Sequence, residues 1–161
     1  SQEDAMAKKR SLRTELIKSK LLDIETGVSL VEENIPGSFE EFSQLGLVKD
    51  GIYKRMEFAI ENIIDILSII NSDLRLSLPE SEEDFIENLG SNEILTQSMA
   101  KKIRRMKGFR NIIVHRYGRI DDLLAYKILT ENMDDFSEFI QSIEQFLEES
   151  SGKSKEGRPT R

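Results

Sequence analysis

The chain has 161 residues, room for one domain with a substantial core and too little for two ordinary ones. With 38% hydrophobic and 33% charged residues it fits a helix-rich globular protein better than a disordered one. The absence of cysteine excludes disulfides, thiolate zinc sites and cysteine nucleophiles, and a lone His115 excludes multi-histidine metal sites and any mechanism needing two histidines from one chain. Neither a metal nor a cofactor is expected. No apolar run approaches the ~20 residues of a membrane span and no signal-peptide pattern opens the chain, so no membrane association and a cytoplasmic location are the expectation.

A first helix is expected from about Gln2 to Val28 or a little beyond, where Leu12, Leu16, Leu21 and Ile24 fall near helical spacing and Gly27 weakens or ends it. Ile35-Pro36-Gly37 breaks the chain, and Ser38-Phe39-Glu40-Glu41 reads as a capping box opening a short turn. A second long helix runs from about Asp50 to Leu74. Its seam is Ile52, Met56, Ala59, Ile63, Leu67, Ile70 and Leu74, spaced by threes and fours, and Pro79 stops it. Ser81-Glu82-Glu83-Asp84 offers another cap before the short stretch DFIENLG.

A third helix is expected from near Ser91 or Asn92, carrying Leu95, Met99, Ile103, Met106 and Ile113 and ending by His115 to Tyr117, since Gly118 suits a C-terminal cap. Asp121 or Asp122 then caps a single last helix with Tyr126, Leu129, Met133, Phe136, Ile140, Ile143 and Leu147 inward. Residues 1–149 form one domain, and residues 150–161, a polar stretch without an apolar anchor, form a disordered tail. The expected fold is all-α, an antiparallel bundle of about four long helices plus short helical turns. Met56, Met99, Met106, Met133 and Phe136 are core. The pairs Asp121-Asp122 and Asp134-Asp135 fit capping and surface solvation better than a metal site.

Charge is unevenly spread. The formal net charge is −7, yet Lys101 to Arg119, KKIRRMKGFRNIIVHRYGR, holds eight basic residues and no acidic one. The other 142 residues keep 15 basic and 30 acidic side chains. Such a stretch in an acidic protein attracts phosphates at one place and disfavours promiscuous binding elsewhere.

Within it stands Phe109-Arg110-Asn111-Ile112-Ile113-Val114-His115-Arg116-Tyr117. The pattern R-N-x3-H-x-Y, preceded by RRMKGF and followed by GRID, resembles the signature of HEPN-domain proteins and, more narrowly, the R-x4-H-x-Y motif of HepT-like toxins. RMEFAIENIIDIL and LTENMDDFSEFIQSI resemble that family's second and last helices, so the likeness covers roughly Asp50 to Ile143. It implies a metal-independent endoribonuclease that works as a homodimer, with the two motifs facing each other and Arg110 and His115 catalytic. Asn111 fills the polar position beside the arginine, and Tyr117 matches the tyrosine to which a partner nucleotidyltransferase antitoxin of the MntA type adds AMP.

The residue chemistry agrees. RNA carries its own nucleophile, the 2′-hydroxyl, so no serine or cysteine is needed. The protein must take a proton from that hydroxyl, stabilise charge on the phosphorane and protonate the leaving 5′-oxygen. Histidine, with an ordinary pKa of ~6.5, suits the proton steps, and arginine offers a permanently charged fork for phosphate oxygens. One chain supplies one histidine; two apposed copies supply two, enough for separate acid and base. Residues five apart on an ideal helix point ~140° from each other, so Arg110 and His115 converge if the helix unwinds near His115 or the arginine bends round.

Read without the resemblance, His115 is a helix-end histidine bonded to backbone, Arg110 a solvated or salt-bridged residue, and Tyr117 a ring in the core or an interface. Lys101, Lys102, Arg104, Arg105 and Lys107 form a solvated face or pair with acidic neighbours such as the last helix. If they meet RNA, Lys102 and Arg105, with Arg116, are the expected contacts, because Ile103 and Met106 turn inward. The rival readings of the whole chain are a non-catalytic nucleotide- or partner-binding HEPN module and a structural helical adaptor.

Overall fold

The computed structural model describes residues 11–114 and 118–156, with side chains described as far as Gly152. Every regular element among the described residues is a helix. Helix α1 (Thr14–Asn34) buries Ile17, Leu21, Ile24, Val28 and Val31 at alternating spacings of four and three. The expected seam is corrected here: Ile17 is fully enclosed while Leu16 is 40% exposed. Gly27 does not end the helix. It is a buried position, and the helix continues to Asn34, stopping where Ile35 is extended ahead of Pro36. Residues 11–13 are not helical, and the expected start at Gln2 lies outside the described residues.

Helix α2 (Phe39–Ser43) is capped as expected, the Ser38 hydroxyl accepting the Glu41 N–H at 3.2 Å, and it seats Phe42 in the core. Helix α3 (Leu47–Asp73) follows Gly46, whose φ of +60° favours glycine. Of the expected seam only Leu74 departs, half-buried just past the helix end; the helix also buries Tyr53, Ile60, Ile64, Ile66 and Ile69, which makes it the central helix, packed on several sides.

Pro79 is not what stops α3. The chain turns at Arg75, φ +52°, where the Leu76 N–H reaches Asn71 O (3.0 Å) and the Arg75 N–H reaches Ser72 O (3.1 Å), satisfying carbonyls the helix end would orphan. The same lock recurs after helix α4 (Glu82–Ser91). Glu93 has φ +60°, and Ile94 and Glu93 donate to Leu89 O and Gly90 O at 2.9 and 3.1 Å. Ser91 and Asn92 therefore end α4 and do not begin the next helix. Helix α5 (Gln97–Ile113) starts later, with Thr96 Oγ1 accepting from the Met99 N–H at 3.0 Å. Polar residues tolerate left-handed backbone when two hydrogen bonds reward it, so neither stop shows up as a glycine.

The expected single last helix is two. Helix α6 (Asp122–Glu131), capped by Asp121, breaks at Asn132, and helix α7 (Asp134–Glu156) begins after Met133. Leu129, Met133 and Phe136 keep helical spacing across the break and all face the core, so apolar periodicity alone does not reveal it. Helix α7 extends past residue 149, where the tail is expected to start. The long helices α1, α3, α5 and α7 form a ring of neighbours. Arg13–Asp73 and Lys20–Asp65 set α1 antiparallel to α3, and Lys102–Glu138 and Arg105–Asp135 set α5 antiparallel to α7. The core they enclose is one cluster, from Ile17 of α1 to Leu147 of α7.

Candidate functional site

Helix α5 turns Met99, Ile103, Met106, Phe109 and Ile113 inward, so its cations lie on the remaining faces. Two acidic helix starts meet them. Lys102 pairs with Glu138 and Arg105 with Asp135, both on α7. Arg104 pairs with Glu83, and Arg110 and Lys107 share Glu82, both acids lying in the first turn of α4. Carboxylates are favoured at such helix N-termini by the backbone dipole. Five of the eight cations in the basic stretch, Lys102, Arg104, Arg105, Lys107 and Arg110, are thus held in intramolecular ion pairs. Lys102 and Arg105, the expected RNA contacts, both carry a carboxylate of α7.

Arg110 is the most enclosed of the three arginines, its side chain 18% exposed against 45% for Arg104 and 51% for Arg105. Its Nη2 donates to Glu82 Oε1 at 2.7 Å and its Nη1 to Oε2 at 3.1 Å. Those hydrogen bonds hold the Glu82 carboxyl below its usual range against the opposing effect of burial. The same bonds, with the charges of Glu82, Glu61 and Glu57, raise the guanidinium further, so it stays charged. Glu82 is the residue that sequence reasoning missed. It reads there only as part of a cap, and nothing in the sequence connects it to a residue 28 positions on.

Asn111 is exposed in the last turn of α5, beside Arg110. The regular helix stops at Ile113. Val114 leaves helical geometry (φ −104°, ψ 66°) while its N–H still reaches Arg110 O at 3.0 Å, and Gly118 takes φ +97°. Regular helix thus ends before position 115. His115, Arg116 and Tyr117 themselves lie outside the described residues.

Helix α6 is anchored at its first turn and along its inner face. Asp122, opening α6, accepts Lys49 Nζ at 2.7 Å and the Tyr53 hydroxyl at 2.5 Å, both from α3. Burial pushes the Asp122 carboxyl up, but those two donors outweigh it and leave it lowered. Burial, then Asp122 itself, raises the Tyr53 phenol. Tyr126 of α6 packs on Phe39 and Phe42 of α2 and donates to Pro36 O at 2.8 Å.

Among the described residues no cluster of three His, Cys, Asp or Glu is arranged to hold a metal, and no helix is long and apolar enough to cross a membrane. The family profile described as "Ribonuclease HepT-like" matches residues 24–143, from the middle of α1 into α7 and across the whole of α5. The "mRNA nuclease HepT" of Shewanella oneidensis is 26% identical over 129 residues, 80% of this chain and 96% of that protein. The "tRNA nuclease HepT" of Aphanizomenon flos-aquae is 30% identical over 93 residues, 57% and 63% of the two chains. The solved structure of the tri-AMPylated Shewanella oneidensis HEPN toxin in complex with MNT antitoxin superposes with a TM-score of 0.72 at 26% identity, covering 80% of this chain and 96% of that one. A profile match over three-quarters of the residues and an all-helical fold shared with that toxin agree with the motif at the end of α5: the chain belongs to the HepT-like ribonuclease family.

Proposed function

We propose that this chain is the toxin half of a two-component system, a ribonuclease that cleaves RNA without a metal at a site composed from two copies. The observation that carries the reading is the family match spanning R-N-x3-H-x-Y, together with a well-anchored Arg110 at the point where α5 ends. Arg110 would neutralise charge on the phosphorane, Asn111 would add a polar contact, and His115 would move the protons. The 2′-oxygen attacks the phosphorus as its proton is taken up, and the 5′-oxygen leaves as it gains one, giving a 2′,3′-cyclic phosphate. The two histidines of a homodimer divide the base and acid roles. Lys102 and Arg105 contact the flanking backbone only by exchanging Glu138 and Asp135 for phosphates, and Arg116 adds to them.

The likeness to an AMPylated toxin bound to its antitoxin supports a nucleotidyltransferase partner here. AMP on Tyr117 would add a negative charge close to His115 in sequence and repel an incoming phosphate. The test is RNA cleavage by the purified dimer in the presence of a chelator, with the product's terminal phosphate identified by mass spectrometry. Activity that survives His115→Ala, or a protein that is monomeric under assay conditions and still cleaves, refutes the composite site.

One observation favours a second reading. Lys102, Arg104 and Arg105 are already satisfied by carboxylates, as suits a non-catalytic module that binds a nucleotide or a partner. A folded dimer that binds AMP or the partner enzyme but leaves RNA intact supports that alternative.

A further inference from the structure

Three arginines of α5 each hold a carboxylate, but they do so through different edges. Arg104 donates from Nε (2.9 and 3.1 Å) and Nη2 (2.6 Å) to Glu83. Arg105 donates from Nε (3.1 Å) and Nη2 (2.8 and 2.9 Å) to Asp135. In both, the side edge of the guanidinium, where two N–H bonds run parallel, is spent on the carboxylate. Arg110 is gripped end-on instead, by Nη1 and Nη2. Each of those nitrogens gives one hydrogen to Glu82 and keeps one. Among the described residues no carboxylate takes the Nε–H of Arg110.

Among the described residues its Nε/Nη2 edge is therefore left as a forked donor matched to two oxygens of a phosphodiester. The backbone that carries the grip is anchored. Glu82 sits in the first turn of α4, whose start is capped by Ser81 and by the Asp84 carboxylate on the Glu80 N–H at 2.7 Å. Ile86 and Leu89 bury that helix in the core. Lys107 Nζ stands 3.8 Å from Glu82 Oε1 and partly offsets the negative charge beside the arginine. A carboxylate near a phosphate-binding arginine would ordinarily compete for it; here it occupies the other end of the cation.

We propose that Glu82 is a positioning residue for the cleavage reaction, holding Arg110 end-on so that its Nε/Nη2 edge faces the scissile phosphate. This rests on the ribonuclease reading above. The test compares steady-state RNA cleavage by wild type, Glu82→Gln, Glu82→Asp, Glu83→Gln and Arg110→Ala, with folding followed by circular dichroism. Glu82→Gln should lower kcat by about 10²-fold, the scale of an ångström misplacement, with KM changed less than about threefold. Glu82→Asp keeps the first-turn charge and should fall between. Glu83→Gln, which frees a neighbouring arginine by the same chemistry, should stay within about twofold of wild type. In an Arg110→Ala background, Glu82→Gln should cost nothing further. Wild-type cleavage with Glu82→Gln equally or more active, with its loss confined to KM, or with additive losses in the double variant overturns the positioning role alone. An inactive wild type overturns the ribonuclease reading and the role of Glu82 with it.

Discussion

Two carboxylates, Asp122 and Glu82, stand in the first turns of the two ten-residue helices, α6 and α4, and each receives two donors from a long helix. Around Asp122 the circuit is closed. Lys49 takes Oδ2, the Tyr53 hydroxyl takes Oδ1, and Lys49 also lies 3.5 Å from Ser43 O. Around Glu82 it is open among the described residues, because there Arg110 spends only its end and keeps an edge. The chemistry of the pairs is alike. On the proposed reading, what separates a structural clamp from a site is whether donor directions are left over, and which way they face.

The sharpest break in the comparison should come from Arg110→Ala. Cleavage should fall by about 10³-fold, as for loss of a donor to transition-state charge, while the urea midpoint moves little. A stability loss large enough to explain the inactivity would make Arg110 a clamp like Lys49. Next comes Asp122→Ala, which strands a cation and a buried hydroxyl. It should cost about 2–3 kcal/mol by urea denaturation, with activity per folded molecule within about threefold. A catalytic collapse without destabilisation would move Asp122 into the site.

The closed cluster should also register pH. The Tyr53 phenol holds its proton more tightly in the fold than an ordinary tyrosine, so stability should be level below about pH 10 and fall as pH rises above it, where the unfolded chain ionises first. Asp122 has the opposite sense: its lowered folded value gives a contribution present above about pH 4 and lost as pH falls through that folded value. Denaturation across both ranges checks the signs, and Tyr53→Phe should flatten the alkaline limb. Smallest of all, Glu83→Gln should change stability by less than about 1 kcal/mol, since its ion pair with Arg104 is well exposed.

Much of the fold was legible because burial imposes a period on the residues. The α3 seam at Ile52, Met56, Ala59, Ile63, Leu67 and Ile70 is buried as its spacing requires, and Ser38, Ser81 and Asp121 cap helices as their positions suggest. Element ends were less legible. Arg75 and Glu93 close helices without glycine, and Met133 carries the apolar rhythm across the gap between α6 and α7. Apolar spacing reports which face is inward and is blind to a backbone that bends and resumes in phase.

The site divides along the same line. Eight clustered cations, one histidine and R-N-x3-H-x-Y are properties of the order of residues, and they sufficed for the family. Which cations are already spent was decided only when α4 and α7 packed acids near their N-terminal ends against α5. Glu82 reaches Arg110 across 28 residues because two buried helices hold their backbones in register, and the edge by which an arginine is held exists only in three dimensions.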